Sequence, residues 1–332
     1  MKYIQNVKKV INIKLDAKDK KILSLLAENS RISATNISKK VGLSRDAVQY
    51  RIKNYEKRGL IQGYRTIVDI SKFGYAKYHL FINLNTPTPE VENKILEKLK
   101  KYPFIRAIID FGGSYDLEIA IIAKDINHLD DILTKIINAC GDHIKGYDIL
   151  TIVKEYVSKV FPSSLLHYKE ILQSEKDSQK IDKKDIEILK NIGENAKIPL
   201  AELGEDINLS ADTISYRIKK LKESGVIKKF IPVINHADLG YSLYSLLLDI
   251  GPLDDKKEKL LQDFLRNDPN VLWAVKTIGK FNLLIYVLVK SVQELQNTSV
   301  RLRELFVNKI NNYETLVAFE EFVYVYFPKN LF

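Results

Sequence analysis

The sequence repeats itself at a constant offset of 166 residues, and no other feature constrains the fold as strongly. The run Tyr-Arg-Ile-Lys stands at 50–53 and again at 216–219, and Gly-Tyr stands at 74–75 and again at 240–241. Because the offset holds without a gap along the whole unit, it indicates a duplicated structural module. The sequence therefore predicts two modules of the same fold, joined by the linker 163–180, whose second half is polar.

The first part of each module is predicted to form a helix-turn-helix. Three short amphipathic segments each follow an Asp or Ser of the kind that caps helices, and Gly59 ends the third segment. The turn Gly42-Leu43-Ser44 is short enough to join the second helix to the third, as this motif requires. Two short strand-like runs after Gly59, IQGYRTIVDI, fit a wing. The sequence therefore predicts winged helix-turn-helix domains over 15–70 and 181–236.

The rest of each module changes to the order strand, helix, strand, strand, helix, strand. This βαββαβ order is that of a ferredoxin-like domain, so the sequence predicts such domains over 75–162 and 241–328 and an α+β fold class. The strands are strongly apolar, and the helices cover only one face of each sheet. The other face needs a partner, which is either the other copy in the same chain or a second chain.

The positive charge of the chain is concentrated at its beginning. Residues 1–70 contain 16 Lys and Arg against 6 Asp and Glu, which equals the net charge of +10 of the whole chain. Residues 181–236 contain 10 against 9, and their second predicted helix, LAELGEDINLS, is acidic. A basic segment on a helix-turn-helix predicts nucleic-acid binding by the first copy. The second copy should attract phosphate less.

The third helix of each copy carries the candidate DNA contacts. Val48, Ile52 and Tyr55 lie on one stripe and should be buried. The opposite face has the Gln, Arg, Lys and Tyr residues that bind base edges and phosphates from the major groove, although solvated helix faces also look like this. The predicted DNA-binding residues are Ser44, Arg45, Gln49, Tyr50, Arg51, Lys53 and Lys57, and in the second copy Ser215, Tyr216, Arg217 and Lys219.

Two of these arginines have a second interpretation. Arg51 and Arg217 could instead pair with Asp19 and Asp185 in the first helix of their own copies. In that case they would stabilise the domain without contacting phosphate. Both interpretations remain open at the level of the sequence.

The helix-turn-helix segments resemble the Lrp/AsnC, or feast/famine, family of transcription regulators. The resemblance rests on LDAKDKKILSLLAENSRIS and VGLSRDAVQYRIKNYEKRGLIQGYRTIVDISKFGY in the first copy and on their counterparts in the second. It implies a sequence-specific regulator of double-stranded DNA with a ferredoxin-like effector domain, which dimerises and senses an amino acid or a related small metabolite. Members usually carry one module, so this chain resembles a covalent pseudo-dimer, able to assemble within the chain or as a homo-oligomer.

The resemblance also implies an effector site at the turn between the two middle strands, where the family carries Gly-x-Tyr-Asp. The candidate effector-binding residues are Gly113, Tyr115 and Asp116 in the first copy and Gly279 and Asn282 in the second. Asn in place of Asp removes a charge that could pair with an amino group, so the first copy is the favoured site. The alternative is that these glycines only form a hairpin turn.

A tetrapyrrole enzyme is the alternative function, because the two-domain layout of each module also resembles that of siroheme decarboxylases. Such an enzyme should have histidines and basic residues facing a cavity, but His79 has Ser245 at the equivalent position and the five histidines form no pair. The sequence therefore predicts a regulator that is not an enzyme, with no catalytic residues, no metal site and no cofactor. The single Cys140 excludes an intramolecular disulfide. No signal peptide or membrane span is evident, so a cytoplasmic protein with no membrane partner is expected.

Overall fold

The computed structural model describes residues 13–85, 88–169, 181–307 and 309–328, so most of the predicted linker lies outside the described residues. In the first copy the elements are α1 (Ala17–Glu28), α2 (Ala34–Val41), α3 (Arg45–Lys57), β1 (Ile61–Val68), β2 (Ala76–Leu84), α4 (Pro89–Leu99), β3 (Ile105–Gly112), β4 (Leu117–Ala123), α5 (Ile126–Cys140) and β5 (Ile144–Ser158). In the second copy they are α6 (Lys183–Glu194), α7 (Leu200–Ile207), α8 (Ala211–Glu223), β6 (Ile227–Ile234), β7 (Ser242–Ile250), α9 (Asp255–Asn267), β8 (Val271–Ile278), β9 (Leu283–Val289), α10 (Val292–Leu305) and β10 (Ile310–Tyr324). The order of elements is the same in both copies and confirms the α+β class.

The turn of each helix-turn-helix depends on one residue in the left-handed conformation. Gly42 ends α2 with φ +68°, where glycine has no Cβ to clash. The equivalent Asn208 ends α7 with φ +56° and is the one non-glycine residue with positive φ among those that the structure describes. Asparagine tolerates this conformation better than most residues, so both copies make the same turn.

The segment after each third helix forms one strand, where the sequence suggested two short runs. Gly63 produces a bulge with φ +150° and does not turn the chain back. A single strand leaves its backbone groups without partners. The other copy supplies the hydrogen-bond partners, because β1 and β6 pair antiparallel and form a two-stranded ribbon.

The two helix-turn-helix domains are joined by this ribbon into one compact body, which we call the head unit and which consists mainly of Ile13–Tyr75 and Leu166–Asn235. Reciprocal backbone bonds support the ribbon: Ser30 donates to the Phe230 carbonyl at 2.9 Å, and the equivalent Ala196 donates to the Tyr64 carbonyl at 3.0 Å. Each domain therefore completes the other.

The ferredoxin-like halves form a second compact body, the barrel unit, which includes Ala76–Leu165 and His236–Tyr324. Eight strands close a barrel in the order β10-β3-β4-β2-β5-β8-β9-β7. The two 15-residue strands close it, because β5 pairs with β2 and then with β8, while β10 pairs with β7 and then with β3. The sheet edges of each half are therefore covered by the other half of the same chain.

Each half has its own core between its sheet and its two helices. In the first half Leu80 and Ile82 of β2 pack against Ile132 and Ile136 of α5, and in the second half Leu246 and Leu248 of β7 belong to the corresponding core. Residues of alternate parity on the same strands, such as His79 and Ser245, point away from the helices, because side chains alternate along a strand. No helix in the described part of the chain is long and apolar enough to cross a membrane.

Candidate nucleic-acid interface and effector site

The predicted recognition helix α3 has one buried face and one polar, solvent-exposed face. Val48, Ile52 and Tyr55 are buried, as the spacing predicted. On the opposite face Tyr50 is 72% exposed and Lys53 is exposed. The predicted contacts Arg45 and Lys57 are also exposed, and Gln49 is partly exposed. The side chains that could bind base edges and phosphates therefore share one accessible surface.

Arg51 is held by two carboxylates of the same copy. Its Nη1 lies 2.8 Å from Asp16 Oδ2 and also contacts Asp19 Oδ1, which accepts a hydrogen bond from the Tyr55 hydroxyl at 2.5 Å. The hydrogen bond to Asp16 raises the pKa of Arg51 and keeps it charged. This contact set supports the interpretation that Arg51 fixes α3 against α1, because two carboxylates offset the charge that would attract phosphate.

Arg217 makes the same arrangement in the second copy, with Nη1 2.8 Å from Asp182 Oδ2 and 2.8 Å from Asp185 Oδ1. Ser44 also has a local function, since its hydroxyl accepts a hydrogen bond from the Ala47 amide at 3.1 Å and caps α3. Three of the predicted DNA contacts are therefore also part of the fold of the head unit.

The second recognition helix, α8, presents a weaker positive surface. Tyr216 is 59% exposed, and Ser215 and Lys219 are exposed, but Lys219 Nζ lies 4.0 Å from the carboxylate of Glu223, one turn away. Glu223 occupies the position of Lys57 in the first copy. An opposite charge at i,i+4 on a helix partly neutralises the lysine.

The helix before α8 reverses the charge of its counterpart. Glu205 and Asp206 of α7 are exposed and occupy the positions of Lys39 and Lys40 of α2, which are exposed as well. The acidic character of α7 was apparent from the sequence, but Lys39 and Lys40 were not predicted as phosphate contacts. Comparing the two copies at the offset of 166 would have identified them, because the paired positions have opposite signs.

The predicted effector residues Asp116 and Asn282 hold the ends of neighbouring strands. Asp116 Oδ2 accepts a hydrogen bond from the Leu84 amide at 2.6 Å, and Asn282 Oδ1 accepts one from the Ile250 amide at 2.9 Å. Leu84 and Ile250 are equivalent positions in the repeat. Asn therefore replaces Asp without losing this contact, and the Asp116 carboxylate already has a partner within the fold.

The predicted glycines allow the two halves to approach closely. Gly113 has φ +139°, and a Cβ there would lie 2.9 Å from Leu316 of β10. Gly279 has φ +149°, and a Cβ there would lie 2.3 Å from the carbonyl oxygen of Ile149 in β5. Each glycine thus lies close to a strand of the other half, a structural role that neither the predicted effector binding nor the alternative hairpin turn includes.

Lys280 connects the two turns across the barrel unit. Its Nζ lies 2.8 Å from the Tyr115 hydroxyl, 3.2 Å from Asp148 Oδ2 and 3.8 Å from Glu314 Oε1. The Tyr115 hydroxyl donates to Asp148 at 2.5 Å, and burial raises the pKa of Tyr115 to about 12. Tyr115 is 3% exposed, so it lies within the junction of the two halves.

A cavity of about 270 Å³ lies beside Asn282 and is lined by residues of the second half and by Tyr156 of β5. Its polar lining includes Tyr156, Glu258 and Lys276, and its apolar lining includes Leu253 and Leu283 as well as Ile250, Pro252 and Leu261. The carboxylate of Glu258 binds Lys276 Nζ at 2.7 Å and accepts from the Tyr156 hydroxyl at 3.2 Å. The hydrogen bond from Lys276 keeps the pKa of Glu258 low. The cavity thus combines a cation, a carboxylate and an apolar wall.

The positions equivalent to Lys276, Glu258 and Asn282 all carry acidic residues in the first half. Asp110 stands in place of Lys276, Glu92 in place of Glu258 and Asp116 in place of Asn282. Burial, together with the charges of Glu92, Glu320 and Asp116, raises the pKa of Asp110 to about 7. No group of three or more metal-ligating side chains with metal-site geometry occurs among the described residues.

His79 lies on the inward face of the barrel in contact with carboxylate and aromatic groups. Its Nδ1 contacts Glu118 Oε1, and its ring stacks on Trp273 with centroids 5.4 Å apart. Glu118 is 1% exposed and Glu321 is 5% exposed; burial raises the pKa of Glu321 to about 8. This environment is acidic and aromatic.

Both helix-turn-helix segments match a known protein family, and a stretch of 117 to 120 residues of the chain matches known regulators. The family described as winged helix-turn-helix DNA-binding matches residues 15–62 and again residues 181–228. Transcriptional regulator AzlB of Bacillus subtilis is 39% identical over 117 residues, which are 35% of this chain and 74% of AzlB. HTH-type transcriptional regulator LrpA of Pyrococcus horikoshii is 34% identical over 120 residues, which are 36% of this chain and 84% of LrpA.

The duplicated architecture has a counterpart among solved structures. The siroheme decarboxylase NirDL superposes with a TM-score of 0.63 at 13% identity, covering 92% of both chains. Its complex with an iron-uroporphyrin III analogue superposes with a TM-score of 0.64 at 12% identity, covering 94% of this chain and 95% of that chain. At this identity the likeness concerns the fold alone.

Proposed function

The chain belongs to the Lrp/AsnC family of DNA-binding transcription regulators, as a tandem duplicate, and on this premise we propose that its two unlike helix-turn-helix domains, called the first head and the second head, bind two unlike half-sites of one operator. The observation that carries the proposal is the difference between α3 and α8 on a shared ribbon. The first head offers Lys53 and Lys57 on an open face, whereas the second offers Lys219 beside Glu223.

The first head is proposed to supply most of the affinity and the second to supply orientation. Arg45, Lys53 and Lys57 of α3 and Lys39 and Lys40 of α2 bind phosphates, and Gln49 hydrogen-bonds to a base edge. The β1–β6 ribbon joins the heads, so that both reach major grooves in one binding event. Half-sites one helical turn apart have centres about 34–36 Å apart.

Selection from random double-stranded DNA tests this function. We expect an enriched sequence with one strong and one weak half-site, because a symmetric site requires two equal heads. With five phosphate contacts by the first head, log affinity should fall against log salt with a slope of about −4.5. Failure to enrich any sequence would contradict sequence-specific binding, and a perfect palindrome would contradict the unlike heads.

The effector is proposed to be an amino acid that binds the cavity beside Asn282. Lys276 and Glu258 match the carboxylate and ammonium groups of an amino acid, and the apolar wall accommodates a side chain. At the level of the sequence, the charge of Asp116 favoured the first copy. The acidic groups around Asp110, which would repel the carboxylate of an amino acid, favour the second copy instead.

Thermal stability in the presence of each of the twenty amino acids tests the effector site. An amino acid at 100 times its Kd should raise the Tm by about 5 °C, because it stabilises only the folded state. Lys276→Met should abolish this shift, whereas Asp116→Asn, which copies the residue of the second half, should retain it. Loss of the shift in Asp116→Asn alone would assign the site to the first copy.

The enzymatic alternative is distinguished by a tetrapyrrole titration. The His79 ring contacts the buried carboxylate of Glu118, which would repel the acidic side chains of a siroheme-like substrate. We therefore propose a regulator without an enzymatic activity on tetrapyrroles. Uptake of an iron porphyrin carboxylate with a sharp visible absorption band, abolished by His79→Ala, would reverse this assignment.

A further inference from the structure

At four positions on the inward face of the barrel, the two halves carry side chains of different size and polarity. On the first half these positions are occupied by two polar and two small side chains, and on the second half by two aromatic side chains, one leucine and one serine. The first-half residues are His79, Ala107, Glu118 and Ala120, and their equivalents are Ser245, Trp273, Leu284 and Tyr286. Cross-strand pairing places His79 opposite Ala120 and Tyr286 opposite Ser245, so the members of each set share one face.

The polar pair of the first half receives the aromatic pair of the second. The Trp273 ring stacks on His79 with centroids 5.4 Å apart, and the Tyr286 hydroxyl donates to Glu118 Oε1. Trp273 and Tyr286 also pack on each other, with centroids 4.9 Å apart. Glu118 is 1% exposed. Its carboxylate thus accepts a hydrogen bond from Tyr286 of the second half and also contacts His79 of the first half.

A pairing of two like halves would lose these contacts. Two first halves would place alanines where Trp273 and Tyr286 stand, and the buried carboxylate of each Glu118 would lose the tyrosine donor. Two second halves would bring four large aromatic rings together and leave each Tyr286 hydroxyl facing Leu284 in place of a carboxylate. Removing volume and adding volume at a packed interface are both unfavourable.

We propose that these inward faces make the two halves mutually selective, so that each half pairs with the other and rejects a second copy of itself. Pairing of two first halves, or of two second halves, from different copies is then disfavoured, and the pairing of unlike halves is favoured. This selectivity goes beyond the DNA-binding proposal. It is also independent of it, because it concerns the barrel unit and not the head unit.

Swapping residue sets within the full-length chain tests the selectivity. A first variant gives both halves the first set, through Ser245→His, Trp273→Ala, Leu284→Glu and Tyr286→Ala. A second variant gives both halves the second set, through His79→Ser, Ala107→Trp, Glu118→Leu and Ala120→Tyr. A third variant carries all eight substitutions and restores complementarity with the sets exchanged. Each chain retains its own covalent linkage, so only the inward faces differ.

Native-state hydrogen exchange of β4 and β9, followed by mass spectrometry, is the readout. We expect both half-swapped variants to exchange at least about tenfold faster than the wild type, which corresponds to 1.4 kcal/mol of easier opening. In the variant with all eight substitutions, the exchange rate should return to within about threefold of the wild-type rate. Half-swapped chains with wild-type exchange would overturn the proposal. The proposal would also be overturned if the variant with all eight substitutions were no better protected from exchange, or no better folded, than the half-swapped chains.

Discussion

Replacing Gln49 and Lys53 with alanine is expected to weaken operator binding by about 30- to 300-fold. The reason is that Gln49 would lose one base-specific contact of about 1–3 kcal/mol and Lys53 would lose one phosphate contact. Both side chains lie on the accessible face of α3, away from its buried stripe of Val48, Ile52 and Tyr55. Their removal should therefore leave the fold of the head unit intact. The salt slope should become shallower by about 0.9, the contribution of one lost phosphate contact.

The matched control replaces Ser215 and Lys219, the equivalent residues of α8. We expect this pair to weaken binding by about threefold or less, since Glu223 already offsets part of the Lys219 charge and Ser215 is too short to make the bidentate contact of a glutamine. Fluorescence anisotropy on the selected DNA, at two salt concentrations, measures both variants. Equal losses from the two pairs would refute the assignment of unlike roles to the heads.

Gly279→Ala is expected to destabilise the barrel unit by about 2–4 kcal/mol, the largest stability effect that we predict for a single methyl group. Two costs combine at this position. The backbone has φ +149°, which side-chain-bearing residues rarely adopt, and the added Cβ would lie 2.3 Å from the carbonyl oxygen of Ile149. Because that oxygen belongs to a strand of the other half, relief of the clash requires the two halves to separate locally.

Trp273 provides the measurement, because it is the single tryptophan of the chain and lies at the junction of the halves. Urea unfolding followed by its fluorescence should show the loss of stability in Gly279→Ala. Gly146→Ala is the control, since a Cβ there meets nothing within 4 Å, and its stability should be unchanged within about 0.5 kcal/mol. Gly113→Ala should be intermediate, because its close neighbour at 2.9 Å is a leucine methyl group that can move. Equal stability of Gly279→Ala and Gly146→Ala would show that the halves do not need this close approach.

Local sequence signals predicted the elements of each module well. Capping residues such as Ser44 and turn residues such as Gly42 act on their immediate neighbours, so their effects depend on short separations along the chain. The buried stripe of α3 followed from helical spacing in the same way. The single strand after Gly59 was less predictable, because the sequence does not say whether a strand pairs with its neighbour or with an equivalent strand 166 residues away.

The candidate site was predicted only in part, for a similar reason. The alternatives for Arg51 could not be separated until α1 and α3 were packed together, which placed its guanidinium on Asp16 and Asp19. The preference for Asp116 as an effector ligand rested on its charge alone. The structure shows that charge engaged with the Leu84 amide, while the cavity lies beside Asn282.

The sequence by itself determined that the chain consists of two helix-turn-helix and ferredoxin-like modules and that the first copy carries the excess positive charge. These properties follow from composition and from spacings of a few residues, which act locally. The tertiary structure decided that the strands of each module pair with strands of the other module in the same chain. Ribbon pairing of β1 with β6, closure of the barrel by β5 and β10, and the contact of Tyr286 with Glu118 all join residues far apart in the chain. Such contacts depend on the register and packing of surfaces that form only when the whole chain has folded.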